Sequence, residues 1–475
     1  MVVATFRKNK FPTLGPDLTE AQAREIFRRG EEATVFALLE LAKHFAAGAA
    51  IPTAPTPATP SAMIPTFQKP PAKRGKRPGR KPGHSGSPRA ERPQPTIFKD
   101  HRAAVCPDCG GSLTRCRQMR TRQTVDIPAG IQVETTQHTI HRDWCQACHQ
   151  HVEPVVPDAL PGSEVGNRTL VLSAWWHYGL GLTTRQIGDV LNYHLGLELS
   201  RGGLTKMWGR LSDILRPWYD QIREQALTSG VLHGDETGWR ESGKTRWLWA
   251  FATDDVTFYM IDPHRGASAL KKFFCEEFAG TLVTDFWGPY NAVVCSRRQV
   301  CLVHLLRDLK QVEQYKCPGP HWPLFAKKLR RLMADAIRLK KNDDLAGGSY
   351  VSRRGRIDTR LDELIDTPWD DPQARRLIKR LRRHREHLFT FLNHDDVPFD
   401  NNHAERSIRP AVVMRKNQYG NRSAKGAETQ ALLMSIYRTL HQRGHDPLTI
   451  ISDAIVNYLQ TGQLPNMPPK LAPSG

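Results

Sequence analysis

The sequence has no apolar run of about 18 residues or more, which excludes an ordinary membrane-spanning helix. Its opening, Met1-Val2-Val3-Ala4-Thr5-Phe6-Arg7-Lys8, lacks the apolar core and cleavage-like site of a secretory leader. A cytoplasmic protein with no membrane partner is therefore expected. Acids are scarce relative to bases: 48 Asp and Glu stand against 68 Lys and Arg, a net charge of +20. Such an imbalance calls for a polyanionic partner, nucleic acid first, with ribosomal or membrane-surface association as the alternatives. Cysteine is also sparse, nine in 475 residues, and odd in number. Four of the nine form two Cys-x-x-Cys pairs, a spacing that in a reducing compartment favours metal over disulfides. The length is too great for one ordinary domain, so two to four are expected.

What is present is organised around residues 231–262. Val231-Leu232-His233-Gly234-Asp235-Glu236-Thr237 is a short apolar run that delivers the carboxylate of Asp235. Two further apolar runs, 246–253 and 256–261, are joined by Asp254-Asp255. Their β-branched and aromatic residues predict three consecutive antiparallel strands. A helical pattern over 265–278 follows, and then Gly280-Thr281-Leu282-Val283-Thr284-Asp285, a buried strand ending on a second carboxylate. Three strands, a helix and a fourth strand open a ribonuclease-H-like α/β fold, in which the first and fourth strands lie parallel and adjacent. Asp235 and Asp285 would then meet. Two buried carboxylates repel each other, and a hard divalent cation with oxygen ligands relieves that repulsion. Glu405 is the candidate third ligand, in the first turns of a helix capped by Asp400 or Asn401. The plainer alternative is three ordinary surface or capping acids.

The flanking segments read as separate modules. Residues 18–47, within a 1–50 segment, predict one helix with Ile26, Ala33, Phe36 and Ala37 at helical spacing. Residues 51–100 are a linker; twelve of the 34 prolines fall within 51–96. Its basic half carries Lys76, Arg77, Arg80 and Lys81, either an arm along DNA phosphates or a solvated charge run. In 101–160, Cys106, Cys109, Cys145 and Cys148 predict a zinc ribbon with one structural Zn²⁺ held by four thiolates, with strand-like runs at 123–127 and 131–140 between the pairs. Residues 165–228 are helical. A capped helix from Ser200 presents Arg201, Thr205, Lys206 and Arg210, so a helix-turn-helix-like DNA reader or a plain helical connector is expected. The catalytic core then divides into 229–318 and 397–462. Between them, 319–396 is a basic helical insertion, suited either to DNA or to solubility. Val300 to Leu305 predicts a fifth strand running into a helix. Arg406 and Arg409, with Arg415 and Lys416, could hold phosphates near Glu405. A disordered Pro-rich tail is expected over 463–475.

Three stretches carry a resemblance: His233-Gly234-Asp235-Glu236-Thr237, Thr284-Asp285-Phe286-Trp287-Gly288-Pro289-Tyr290-Asn291, and Asn401-Asn402-His403-Ala404-Glu405-Arg406-Ser407-Ile408-Arg409-Pro410. In this order they resemble the insertion-sequence-66 family of bacterial DDE transposases, from about residue 70 to the C-terminal region. The resemblance implies a nucleoid-associated enzyme that binds the terminal inverted repeats of its element as double-stranded DNA, cleaves there, and joins the 3′ ends to target DNA. Asp235, Asp285 and Glu405 would be its triad, holding two Mg²⁺ (or Mn²⁺) per site. It further implies a zinc-binding domain at the cysteine pairs and an N-terminal coiled-coil helix suited to a homodimer or higher assembly. Cys301 and His304 match a Cys-x-x-His pattern of the family, with His304 either beside the metals or a core histidine. Rival readings are a ribonuclease-H-like nuclease or resolvase without strand transfer, and a domesticated DNA-binding regulator.

Overall fold

The computed structural model describes residues 18–47, 109–112, 133–147, 149–152, 154–315, 319–342 and 348–472. The basic linker residues Lys76, Arg77, Arg80 and Lys81, the 123–127 run, and the thiols of Cys106 and Cys148 lie outside them. The chain divides into two compact units, one of residues 1–56 with 64–132, the other of 57–63 with 133–475.

In the first unit the expected single helix is two, α1 (Glu20–Arg28) and α2 (Glu31–Ala47). The break falls at Gly30, whose φ of 101° an L side chain rarely adopts. Thr19 and Gln22 close a capping box on α1. Ile26, Ala33 and Ala37 are buried together, while Phe27, Leu38 and Leu39 are exposed.

The second unit opens on a small antiparallel hairpin, β1 (Asp143–Cys145) and β2 (Gln150–Val152). Residues 133–142, read in part as a strand, have no regular structure. Helices α3 (Asn167–Ala174), α4 (Thr184–Leu195), α5 (Arg201–Ile214) and α6 (Arg216–Leu227) follow. Thr183 caps α4 in a capping box with Gln186, and Ser200 caps α5.

Five strands come next: β3 (Val231–Glu241), β4 (Lys244–Ala252), β5 (Thr257–Asp262), β6 (Phe278–Thr284) and β7 (Cys295–Val300). They form one mixed sheet in the order β5-β4-β3-β6-β7. β3, β4 and β5 are antiparallel neighbours, whereas β6 pairs parallel with both β3 and β7. β3 runs well past Asp235 because Ser242 and Gly243, at φ 49° and 75°, make a tight two-residue turn into β4. The fifth strand ends at Val300, earlier than the apolar pattern of 300–305 suggests, because Leu302 already opens a helix.

Helix α7 (Ala267–Phe274) connects β5 to β6, and its Phe273 stacks on Phe251 at 3.8 Å. After β7 come α8 (Leu302–Tyr315), α9 (Trp322–Asn342), α10 (Gly348–Asp366) and α11 (Pro372–Arg383), which share a core of Leu305, Phe325, Tyr350, Trp369 and Leu381. α12 (Asn402–Gln418), α13 (Ala424–Gln442) and α14 (Pro447–Thr461) complete the chain. Both sheet edges are sealed. On β5 the N–H groups of Thr257 and Tyr259 donate to Thr439 and Ser435 of α13. On β7, Gln299 bonds both Leu388 and Phe391. Unpaired edges invite association, and these are closed by side chains.

The expected disordered tail is instead tied down as far as residue 472. Met467 is buried, Trp218 donates to the Pro465 carbonyl, and Arg443 donates to that of Pro468. The prolines prevent a helix there but leave carbonyls free for these donors.

One buried amide joins the sheet to α12. Asn401 is 1% exposed. Its Nδ2 donates to the Gly234 carbonyl at 2.8 Å, its Oδ1 lies 3.1 Å from His233 Nδ1, and its N–H donates to Cys301 Sγ at 3.2 Å. Replacing Asn401 with Ala leaves two buried polar groups on β3 without partners. A loss of about 1–3 kcal/mol is expected in urea unfolding; an unchanged midpoint would contradict this role.

Candidate active site

The register of the parallel pair sets the site. Leu232 faces Leu282 and His233 faces Val283. Continued by two residues, this register brings Asp235 level with Asp285, just past the end of β6. The residues match in parity along parallel strands, so both side chains belong to one face. Asp235 Oδ1 accepts from the Glu236 N–H at 2.9 Å, and Asp285 Oδ1 from the Trp287 N–H at 2.8 Å.

Glu405 arrives on the first turn of α12. Asn401 occupies the cap position but makes no side-chain capping bond, since its amide is used on β3. Asp400 accepts from the Asn402 N–H instead. The α12 dipole favours an ionised acid at this end. Arg307 of α8 grips Glu405 with two hydrogen bonds, at 2.8 and 2.9 Å. His304 Nε2 lies 3.9 Å from Glu405, and its Nδ1 is buried with no hydrogen-bond partner.

The electrostatics follow from this crowding. Burial pushes the Asp235 carboxyl well above the usual range, and the charges of Glu236, Asp285 and Glu405 push it the same way. Burial also pushes up Glu405, but the bonds and charge of Arg307 outweigh this and hold it below its ordinary value. Burial lowers His304 against the opposing charge of Asp285, which keeps the ring neutral near pH 7.

Glu236 is nearly buried, its side chain 2% exposed. Strand alternation puts it on the face opposite Asp235. Burial and the Asp285 charge push it up to about 7, while Tyr290 and Arg265 pull it back. The Tyr290 hydroxyl donates to it at 2.7 Å and Arg265 pairs with it at 2.9 Å. Arg265 is stacked between Trp247 and Trp287, 4.6 and 4.0 Å from the ring centroids. Glu236 is thus a bracing residue, unavailable to stand in for Asp235. Of the supporting residues, Trp287 and Tyr290 lie in a stretch that carries the resemblance but are given no role there, and Arg265 and Arg307 are not singled out by the sequence. Trp287 and Tyr290, two and five residues after Asp285, are the signal the sequence offers for the aromatic part of this brace.

Hard oxygen donors and excess negative charge in a low-dielectric setting suit a divalent cation, and the orphaned Nδ1 of His304 marks room for a further polar partner. Among the described residues no three acidic, His or Cys side chains are gathered tightly enough to form a ready cation cage.

The other expected site residues are more scattered. Arg201 and Lys206 are exposed on α5, whereas Arg210 is spent on the Pro161 carbonyl at 2.6 Å. Arg406 and Arg409 are exposed on α12 and make no ion pair. Cys145 is the last residue of β1. Cys109 is exposed.

Comparison with known proteins places this geometry. Residues 104–149 match a family model described as the zinc-finger binding domain of transposase IS66, a span that includes Cys106, Cys109, Cys145 and Cys148. "Uncharacterized protein y4jD" of Sinorhizobium fredii is 25% identical over 402 residues, covering 76% of this chain and 75% of that protein. "Uncharacterized protein y4qI" of the same organism is 24% identical over 306 residues, covering 56% of this chain and 54% of that protein. Residues 162–429, more than half of the chain and including Asp235, Asp285 and Glu405, match the model of the Transposase IS66 family, and the protein belongs to that family.

Proposed function

We propose that this transposase has a ribonuclease-H-like core that binds the terminal inverted repeats of its insertion sequence, cleaves the DNA at those ends and transfers the 3′ ends to target DNA. The observation that carries the reading is the register that brings the half-buried Asp235 level with Asp285, where burial and the charges of Glu236, Asp285 and Glu405 drive the Asp235 carboxyl upward. The strand order β5-β4-β3-β6-β7 supports the same fold. Asp235, Asp285 and Glu405 would hold two Mg²⁺ or Mn²⁺. Bound there, the ions supply Lewis-acid activation of water or a 3′-hydroxyl and neutralise charge on the leaving oxygen.

The chain's own residues do the rest. Arg265, braced by Trp247 and Trp287, favours the ionised form of Glu236 against its burial and holds the neighbouring strand segment in place. Arg307 keeps Glu405 charged and within reach. Arg406 and Arg409, projecting from the same helix as Glu405, set phosphates beside the acids. No side chain is needed as nucleophile. The zinc ribbon and α5, through Arg201 and Lys206, read the end sequence. The basic linker and α11 add sequence-independent affinity. The exposed apolar residues Phe27, Leu38 and Leu39 of the N-terminal unit suit a homodimer on DNA.

Asp235→Asn, Asp285→Asn and Glu405→Gln should each lower cleavage and joining by about a hundredfold or more while sparing DNA binding. Mg²⁺ or Mn²⁺ should also raise the unfolding temperature of the unaltered protein more than that of the Asp235→Asn variant. A variant that still cleaves well, or equal thermal shifts, removes that residue from the set.

Metal analysis should find one zinc per chain, lost in Cys145→Ser. Zinc unchanged by that substitution would end the ribbon assignment.

Neutralising Lys76, Arg77, Arg80 and Lys81 should weaken end and random DNA alike. It should also flatten the log–log salt slope, by about 0.9 per lost phosphate contact. Arg201→Ala with Lys206→Ala should weaken end DNA more than random DNA. Titrations of both duplexes over a salt series decide it; a linker variant that loses only end-specific binding contradicts this division.

A further inference from the structure

The far end of α12 presents a feature that neither the fold nor the carboxylate site uses. Tyr419 follows the last turn and adopts φ 61°, the left-handed conformation that glycine or asparagine usually fills at a helix C-terminus. The residue is 83% exposed, and among the described residues its ring makes no hydrogen bond or ring contact. A large side chain here raises the backbone energy and gains nothing from burial. Strain of this kind collects where a side chain serves something outside the fold.

The mount beneath Tyr419 is firm. Gly420 has φ 105°, and a Cβ there would come within 2.2 Å of the Arg240 carbonyl. The Asn421 N–H donates to that carbonyl at 2.9 Å, and its own carbonyl accepts from Ser242 at 2.8 Å. Asn421 Oδ1 accepts from the buried Trp239 indole at 2.7 Å, and Ser242 Oγ donates to the Arg422 carbonyl at 2.6 Å. The β3–β4 turn and the α12–α13 connection are thereby one body.

Its surroundings are cationic. Arg406, Arg409 and Lys416 recur on the outward face of α12, and Lys244 and Arg422 are exposed on the mount. Among the described residues none of these five makes an ion pair. The one acid of the turn, Glu241, is neutralised by Arg246 at 3.2 Å. A cationic track ending on a rigid, free aromatic ring matches the chemistry of a nucleic-acid strand, which offers phosphates at regular spacing and π faces between them.

We infer that Tyr419 is a base-stacking site, whose ring takes the face of an unpaired nucleobase in DNA whose phosphates follow the cationic stripe of α12. This rests on the DNA reading above and deepens it. At about 1.5 Å of rise per residue, Tyr419 stands roughly 20 Å along α12 from Glu405. The stacked base therefore lies about six nucleotide steps from the reacting phosphate, at about 3.4 Å per step.

The test uses the full-length protein, a labelled oligothymidylate of about 25 nucleotides, and a random duplex of the same length. Tyr419→Gly should keep or raise the unfolding temperature and weaken the single strand about tenfold, with less than about a twofold change on the duplex. Tyr419→Phe should bind both within about twofold of the unaltered protein. Three results overturn the site: Tyr419→Gly binding the single strand normally, equal losses on both DNAs, or a fall in unfolding temperature. If the unaltered protein binds neither DNA, the DNA reading itself fails and this one with it.

Discussion

Like charges forced together set the terms for this molecule. Parallel pairing of β3 with β6 brings Asp235 level with Asp285, and α12 adds Glu405. Each ionised acid raises the free energy of the others, and partial burial limits the water that reaches them. Left alone, such a group would protonate or pull the strands apart. The structure meets the repulsion with positive groups placed at set distances: Arg265 on Glu236, Arg307 on Glu405, and the N-terminus of α12 behind it. Asp235 receives no cationic side chain and one N–H donor, and burial, with the charges of Glu236, Asp285 and Glu405, pushes its carboxyl well above the usual range. That residual imbalance is what a divalent cation would correct.

Holding three acids from three distant parts of the chain needs ties that do not themselves carry charge. Asn401 provides them. Its amide reaches β3 next to Asp235, its N–H reaches Cys301 at the start of α8, and its carbonyl accepts from the Glu405 N–H at 3.1 Å. One neutral residue therefore indexes α12 against the sheet and against the helix that carries His304 and Arg307. Its neighbour Asp400 takes over the capping duty that the Asn401 side chain gives up.

The strands and their acids were legible because each rests on local pattern: apolar alternation, turn residues, and a carboxylate after a buried run. The capped helices α4 and α5 were legible for the same reason, through Thr183 and Ser200. What escaped were relations that only tertiary contact creates. Arg307 and Glu405 are far apart in sequence, and nothing near Arg307 marks it among 68 cations. Arg265 looks like one more surface base until Trp247 and Trp287 close on it. The tail reads as disorder because proline excludes helix and strand, yet proline carbonyls still accept bonds from Trp218 and Arg443. The N-terminal helix was read as one because its apolar spacing continues across Gly30, while the backbone does not.

The positive charge of the chain has a consequence for the acids it surrounds. A DNA phosphate approaching Asp235, Asp285 and Glu405 meets repulsion that grows as water is excluded. Arg406 and Arg409 stand one and four residues beyond Glu405 on the same helix, so the cations proposed to draw phosphate in are fixed relative to the acid that would repel it. A cation on a mobile loop could bind phosphate at any distance from the acids. On α12, in the reading proposed above, it would bind at one, so the same helix would fix both the attraction and the site of reaction.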